Sequence, residues 1–456
     1  MNNTLVVIMA AGEGKRMKSS TAKVLSKVNF KPMIDYVLQA AGGVSDQKPV
    51  VIIGHKGEDI KAYLKDRALY AEQAEQLGTG HAVMQAADEI EKSKCDTVVI
   101  LTGDAPLITA ETLKKAYTYH KENGFDVTVL GAAFDDPTGY GRLLIKDGCL
   151  TGIVEHKDAT EEQKNVREIN AGMYFFAADK LLYALKNLTN DNAQHEYYLT
   201  DTISVIRKNG GKAGAYIVEN REEISGCNNR AELSAADRIM RLRIVKKLMD
   251  DGVSVINPEN TYIEDTVKIG CDTVIYPGAV LEGETEIGEG CILYPNCAIK
   301  NCKIGNNVEI KSSTLMDSSV GSDTTVGPYA YVRPNSRIGS HVKVGDFVEV
   351  KNSTVDDGTK ISHLTYVGDS DVGKNVNFGC GTVTVNYDGK NKFRTTIGNN
   401  AFIGCNTNLV APVTVGDNSF IAAGSTITDE VPEDGFAIAR QRQTVKNGWV
   451  KPKDKE

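Results

Sequence analysis

Residues 263–299 read IEDTVK IGCDTV IYPGAV LEGETE IGEGCI LYPNCA I, with an aliphatic side chain at every sixth position: Ile263, Ile269, Ile275, Leu281, Ile287, Leu293 and Ile299. A period of six means coils stacked around a narrow aliphatic core, three steps to a coil. The spacing resumes at Ile304, Ile310 and Met316, at Val320 through Val332, Ile338, Val344 and Val350, and at Val355, Ile361 and Val367. It continues at Val372 and Phe378, and again from Ile397 through Ile403, Leu409, Val415, Ile421 and Ile427. Glycine often follows the aliphatic residue, as at Gly270, Gly288 and Gly345, where a turn leaves no room for a side chain. The pattern breaks at length only between residues 378 and 397, where VNYDGK at 385–390 reads as an excursion from the stack. Excursions from a rigid scaffold are where function tends to sit.

Upstream the pattern is different. Apolar runs at residues 5–9, 50–53, 98–101, 127–130 and 173–176 alternate with helix-like stretches, as a parallel, doubly wound sheet with crossover helices requires. Between residues 228 and 252, Leu233, Ala236, Met240, Ile244 and Leu248 form one stripe, with Arg238, Arg241, Lys246 and Lys247 off it. That stripe predicts a single amphipathic linker helix closed by Gly252. The chain therefore divides into an α/β domain over 1–229, a helix over 230–250 and a β-helix over 251–456.

Composition narrows the function. The 456 residues carry a formal charge of −8, which gives no electrostatic case for nucleic acid or an anionic membrane as main partner. The opening MNNTLVVIMAA has no basic leader and no stretch approaches the ~20 apolar residues of a membrane span, so a cytoplasmic protein is expected. Nine cysteines, scattered without a CxxC pair or a His/Cys cluster, predict reduced thiols, no disulfide and no structural zinc.

The first strand runs into AAGEGKRM at 10–17, a glycine turn that would set backbone N–H groups and two cations around a phosphate chain. It is not a Walker A loop, it lacks the third glycine of GxGxxG, and on spacing alone an ordinary strand-to-helix turn accounts for it equally well. Lys23 adds a second cation, and Gln73 with QLGTG at 76–80 offers a polar, glycine-rich surface for a flat base. Asp104, after Thr102 and Gly103, stands at the carboxyl end of a strand, where open α/β sheets bind ligands and a carboxylate can hold Mg²⁺ against phosphate. A turn-capping aspartate before Pro106 is the plainer alternative.

These segments, with GYGR at 139, GIVEHKDAT at 152, EINAGMY at 168 and GCNNR at 226, resemble the sugar-1-phosphate nucleotidyltransferases. The whole chain resembles the bacterial bifunctional UDP-N-acetylglucosamine pyrophosphorylase/glucosamine-1-phosphate N-acetyltransferases. The resemblance implies a Rossmann-like nucleotidyltransferase domain and a left-handed parallel β-helix. It implies that Met9, Ala10, Ala11, Gly12, Gln73, Gly78 and Thr79, with Gly103, surround the uridine nucleotide of UTP, and that Arg16 and Lys23 act on its phosphates. Gly141, Glu155 and Asn170 would hold the N-acetylhexosamine of N-acetylglucosamine 1-phosphate, and Asp104 with Asn228 would bind Mg²⁺. Ala22 departs from the family, which often has proline before the lysine.

In the β-helix, coil arithmetic stacks Arg333 on Lys351, two cations that suit a phosphate or, more plainly, form a solvated basic edge. The same arithmetic puts Asp346, His363 and Cys380 in one corner column. With Tyr366, Asn377 and the Asn386–Tyr387 excursion nearby, His363 reads as a general base. The family resemblance implies that His363 takes a proton from the amine of glucosamine 1-phosphate as that nitrogen attacks acetyl-CoA, with Arg333, Lys351, Tyr366 and Asn377 on the sugar phosphate. Cys380, Asn386, Tyr387, Cys405, Ala423 and Arg440 match the acetyl-CoA positions, although the family commonly has alanine and serine where the two cysteines stand. The basic tail from Arg440, with Arg442, Lys446, Lys451, Lys453 and Lys455, either meets the CoA phosphates or is a solvated terminus. The resemblance also implies a homotrimer with acetyl transfer between subunits. Two rival readings remain at this point: a nucleotidyltransferase whose β-helix only assembles it, and a scaffold without catalysis.

Overall fold

The computed structural model describes residues 3–192 and 194–449; Met1, Asn2, Lys451, Lys453 and Lys455 of the sequence reading lie outside them. Two compact units meet in sequence at Met240 and Arg241, within the 21-residue helix Arg230–Asp250.

In the first unit, Thr4–Met9 is the central strand, paired in parallel with Val50–Ile53 on one side and Thr97–Thr102 on the other. Helices cover both faces of such a strand, so after Thr4 the run LVVIM is continuously apolar rather than alternating. The sheet runs in the order Ala213–Ile217, Val127–Ala133, Glu168–Ala177, Thr97–Thr102, Thr4–Met9, Val50–Ile53 and Leu69–Glu72. It is mixed where a parallel sheet was expected: Glu168–Ala177 runs antiparallel to both neighbours. The chain reaches it by way of the antiparallel hairpin Arg142–Lys146/Cys149–Val154 instead of a crossover helix alone, so it enters from the opposite end.

Helix Arg230–Asp250 begins where the Asn229 side chain accepts the Glu232 backbone N–H at 2.9 Å, a local N-cap. Gly252 ends it at φ +95°, a conformation costly for any other residue. The single stripe does not hold along its whole length. Leu233, Ala236 and Met240 are buried, but Arg241, expected off the stripe, is only 8% exposed, and Val245 is buried beside the β-helix core. Arg241 donates to the Glu259 carbonyl at 2.9 Å and lies over the Tyr262 ring at 4.4 Å, so its charge is satisfied while its stem packs.

The second unit is a parallel β-helix of three sheets with 11, 10 and 9 strands. Each coil adds one short strand to each sheet, and equivalent aliphatic residues stack: Ile263 on Leu281, Leu281 on Ile299, Ile299 on Leu315, Leu315 on Val332, Val332 on Val350 and Val350 on Val367. The core position after Ile310 is Leu315, fully buried, and not Met316, which is half-exposed. That coil takes two steps of five, so a strict count of six overshoots by one residue and, with a side-chain period of two, lands on the outer face. Left-handed corners are occupied mostly by Asn, Asp and Gly, among them Asn307, Asp323, Asn335 and Asn352.

Candidate active sites in the two units

In the first unit the ends of two central strands build the floor. Met9 pairs with Thr102, so the chain leaving each strand forms adjacent loops at the carboxyl edge of the sheet. Gly103 donates its N–H to the Met9 carbonyl at 2.9 Å, and a Cβ there would stand 3.1 Å from that oxygen. Above this floor is a cavity of about 340 Å³, lined by Met9, Ala10, Ala11, Gly12, Lys23, Gln73, Gly78, Thr79 and Asp104. Val24, Gln76, Ala82, Thr102 and Glu196 complete it. Gln73 is buried and donates to the Gly78 carbonyl at 3.0 Å; Gln76 donates to the Ala11 carbonyl at 3.1 Å, tying the two glycine segments together. Gly78 has φ +106°, and a Cβ would lie 2.6 Å from the Tyr197 carbonyl, so this wall admits only glycine.

Lys23 crosses the cavity edge. Its Nζ is ion-paired with Asp104 and donates to Asn228 Oδ1 at 2.8 Å. Two oxygens from segments far apart in sequence thus converge on one cation. A carboxylate and an amide oxygen are hard donors, and Mg²⁺ is usually held by one or two carboxylates plus substrate phosphates, so this pair fits a metal shared with a nucleotide. Among the described residues, no group of three His, Cys, Asp or Glu side chains is placed to hold a metal without such help. Arg16 lies on the short turn Lys15–Met17, exposed and outside the cavity lining.

Gly141, Glu155 and Asn170 form a separate cluster. Asn170 donates its backbone N–H to the Gly141 carbonyl at 2.9 Å, and a Cβ on Gly141 would stand 3.4 Å from both Glu155 carboxylate oxygens. A bulge between Asn170 and Tyr174 re-aims the strand here, and Asn170 Nδ2 donates to the Tyr174 hydroxyl at 2.9 Å. Burial pushes the Glu155 carboxyl above the usual carboxylate range.

In the second unit Asp346 and His363 are paired in register, and His363 Nδ1 lies 2.6 Å from Asp346 Oδ1. The hydrogen bond from His363 holds the Asp346 carboxyl below the usual carboxylate range. The pairing of Ile361 with Phe378, Phe378 with Ile403 and Ile403 with Ile421 extends this corner column through Cys380, Cys405 and Ala423. Arg440 approaches its end, with Cδ 3.8 Å from where a Gly424 Cβ would be.

Around the corner, the excursion closes as a small hairpin in which Phe393 N–H donates to the Asn386 carbonyl at 2.9 Å and Asp388 accepts from the backbone of Lys390 and Asn391. Asn386 is buried, donating to Asp369 at 2.5 Å and to the Tyr366 hydroxyl at 3.3 Å, so it faces the polar cluster; Tyr387 is exposed. The hairpin returns Lys392 to Lys351, whose ammonium beside it holds Lys392 below the usual lysine range. Lys351 also faces Asp369 at 4.0 Å, and Arg333, stacked one coil away, is ion-paired with Glu349 at 2.6 Å. Asn377 is not in this cluster: it stacks between Lys360 and Phe402 on the neighbouring sheet. Asp346 and Lys392 were absent from the sequence-derived site. The first was legible in the coil register; the second depends on how the excursion folds back.

Comparison with known proteins agrees with this division. The nucleotidyl transferase family matches residues 5–222, and the bacterial transferase hexapeptide family (six repeats) matches 266–301, 317–352 and 394–429. The chain is 53% identical over 457 residues to "Bifunctional protein GlmU" of Caldanaerobacter subterraneus subsp. tengcongensis, covering 100% of this chain and 99% of that protein. It is 52% identical to the protein of the same name in Acetivibrio thermocellus, over 99% of this chain and 98% of that one. In Clostridioides difficile the corresponding identity is 51%, over 100% and 99%. With a nucleotidyl transferase unit followed by a left-handed hexapeptide β-helix and such identity along its full length, the chain belongs to the family of bifunctional GlmU proteins.

Proposed function

We propose that the chain makes UDP-N-acetylglucosamine in two steps, acetylating glucosamine 1-phosphate in residues 251–456 and transferring uridylyl from UTP to the product in residues 1–229. The observation that carries the two-step reading is the His363–Asp346 pair at 2.6 Å. A β-helix that only assembled a nucleotidyltransferase would need no oriented imidazole.

In acetyl transfer, Asp346 accepts from Nδ1 and leaves Nε2 free to take the amine proton. As the amine nitrogen bonds to the thioester carbonyl carbon, the carbon–sulfur bond breaks and the proton passes from His363 to the departing CoA thiolate. Arg333, Lys351 and Tyr366 bind the sugar phosphate, joined by Lys392; Asn377, on the neighbouring sheet, falls outside this set. Cys380, Cys405, Ala423, Asn386, Tyr387 and Arg440 bind acetyl-CoA.

In uridylyl transfer, a phosphate oxygen of N-acetylglucosamine 1-phosphate attacks the α-phosphorus of UTP and pyrophosphate leaves, with no protein nucleophile. Met9 to Gly12, Gln73, Gly78, Thr79 and Gly103 bind the uridine nucleotide, and Gly141, Glu155 and Asn170 the acetylated sugar. Lys23 and Arg16 neutralise phosphate charge. Mg²⁺, held by Asp104 and Asn228, would supply further charge neutralisation on the phosphates.

The reading includes a cytoplasmic homotrimer serving cell-envelope synthesis. Self-association is supported by an apolar corner: Tyr329, Phe347 and Leu364 are 62%, 58% and 56% exposed in left-handed positions, the first two stacked at 5.5 Å. The test is CoA release from acetyl-CoA and glucosamine 1-phosphate, with pyrophosphate release followed separately, in wild type and His363→Ala. Loss of the CoA signal alone is expected; no CoA release from wild type would reduce the reading to a nucleotidyltransferase.

A further inference from the structure

Cys380 and Cys405 occupy one corner on consecutive coils. Two residues before them, Phe378 pairs in parallel with Ile403, and Asn406 donates its N–H to the Cys380 carbonyl at 2.7 Å, the bond that places Cys405 opposite Cys380. Parallel neighbours stand about 4.8 Å apart, and a disulfide takes Cα separations of about 4.4–6.8 Å. Neither side chain is enclosed: Cys405 is exposed and Cys380 half-exposed. The other cysteines of the coils have no such neighbour. The registers of Ile292 with Glu309, Ala298 with Thr314 and Lys303 with Ser319 put Cys291 against Val308, Cys297 against Ser313 and Cys302 against Ser318. These three are buried in the coil interior, and the fourth, exposed Cys271, stands against Glu289 by the register of Ile269 with Ile287.

The column has a second feature that bears on thiol chemistry. His363 precedes Cys380 by one coil, so the imidazole held by Asp346 and the first thiol are successive side chains of one column. Thiolate, not thiol, is the attacking species in disulfide exchange. A thiol beside a base, with a second thiol next in line to resolve it, is the arrangement by which redox-sensing cysteines react and recover.

We propose that Cys380 and Cys405 form a reversible dithiol–disulfide site for low-molecular-weight disulfides, and that the oxidised form closes the acetyl-CoA column. One thiolate attacks a sulfur of the small disulfide, forming a mixed disulfide and expelling one thiolate. The second cysteine thiolate then attacks the protein sulfur, forming the Cys380–Cys405 bond and expelling the other small thiol. Two electrons pass from the cysteine pair to the small disulfide, and two equivalents of small thiol are released. A cross-link here spans the two coils between His363 and Ala423, so the oxidised corner excludes the thioester from the base. This consequence, though not the cross-link itself, rests on the acetyltransferase reading above.

The test exposes the full-length protein to hydroxyethyl disulfide, quenches it by acid and maps disulfide-linked peptides by mass spectrometry. CoA release and pyrophosphate release are measured before oxidation, after it and after dithiothreitol. The expected result is a Cys380–Cys405 linked peptide, loss of acetyl transfer with uridylyl transfer kept, and recovery with dithiothreitol. Cys405→Ser, which lacks the resolving thiol, should yield no linked peptide and stop instead at a mixed disulfide on Cys380 that dithiothreitol reverses. Mixed disulfides or links through exposed Cys149 or Cys271 in place of the pair would overturn the site; a linked pair with unchanged acetyl transfer would overturn the closure. Absence of acetyl transfer from the reduced protein would sink the acetyltransferase reading instead, and the linked peptide would still decide the dithiol site.

Discussion

His363 and Asp346 lie on consecutive coils of one corner, with Nδ1 of the imidazole 2.6 Å from Oδ1 of the carboxylate. A carboxylate on one ring nitrogen selects the tautomer whose other nitrogen can accept a proton. His363→Ala should therefore lower acetyl transfer by about 10²–10⁴, the usual worth of a general base. Asp346→Asn should also lower kcat, with little change in KM for either substrate. Because the hydrogen bond depresses the Asp346 pKa, the pair is intact above the usual aspartate value and is lost only as pH falls below it. Steady-state kinetics across pH checks this; an Asp346→Asn enzyme with wild-type kcat would remove Asp346 from the mechanism.

Lys23 bridges Asp104 and Asn228, so its ammonium stands where a divalent cation held by the same two oxygens would be. Lys23→Met should cost uridylyl transfer about 10²–10³, as removal of one charge-stabilising donor does. The same change should tighten Mn²⁺ binding in the absence of nucleotide, read from the electron paramagnetic resonance signal of free Mn²⁺, because the competing cation is gone. Asp104→Ala should abolish both binding and turnover at any Mg²⁺ concentration. Unaltered Mn²⁺ binding in both variants would place the metal elsewhere.

The register of the β-helix was legible because a six-residue period fixes which residues stack, and the pairing of Asp346 with His363 follows from it. Its errors are local: five-residue steps put Leu315, not Met316, in the core. Lys392 was not legible, since only the closed hairpin from Asn386 to Phe393 returns it to Lys351. The antiparallel course of Glu168–Ala177 escaped for a related reason: the buried run Met173–Phe176, which marks the strand in the sequence, reads the same in either direction. Arg241 shows the limit of charge patterning, because a guanidinium with a carbonyl and a ring face to meet can be buried on a stripe that looks polar.

Lys392 is fully exposed, yet the Lys351 ammonium beside it lowers its pKa. A base with a depressed pKa loses its charge earlier as pH rises, so affinity for glucosamine 1-phosphate should begin to fall on the alkaline side below the range of an ordinary lysine. Lys351→Met removes the repulsion and should move that fall to higher pH while raising KM overall. The pH profile of KM for glucosamine 1-phosphate decides it; profiles that differ only by a constant factor would show that the two ammonium groups do not act together.

Glu155 presents the opposite sign. Burial raises its pKa, so the folded protein holds the proton more tightly than the unfolded chain, and stability falls as pH rises through the usual carboxylate range. Glu155→Gln lacks that loss. The variant should melt above wild type at neutral pH, with the difference vanishing in acid, while KM for N-acetylglucosamine 1-phosphate rises. Thermal melts at several pH values with pyrophosphate kinetics test both arms, and a lower melting temperature at neutral pH would contradict the burial argument.

Tyr329, Phe347 and Leu364 hold left-handed corners at φ +57°, +54° and +46°, positions taken by Asn, Asp or Gly at most other corners. An L-residue there carries a strain of roughly 1–2 kcal/mol, which asparagine relieves in part through local hydrogen bonds. An isolated subunit gains nothing from this, since the side chains stay in water. A second copy covering the corner would bury them and offset the strain. Phe347→Asn combined with Leu364→Asn should therefore leave the coil as stable as before, or more so, in isolation, yet weaken the assembly. Sedimentation equilibrium should show the double variant shifted toward monomer at concentrations where wild type is associated. Acetyl transfer should fall with dissociation if the corner beside His363 is completed by the neighbouring subunit, and uridylyl transfer should not. An undiminished assembly would mean that the apolar corner serves some purpose other than self-association.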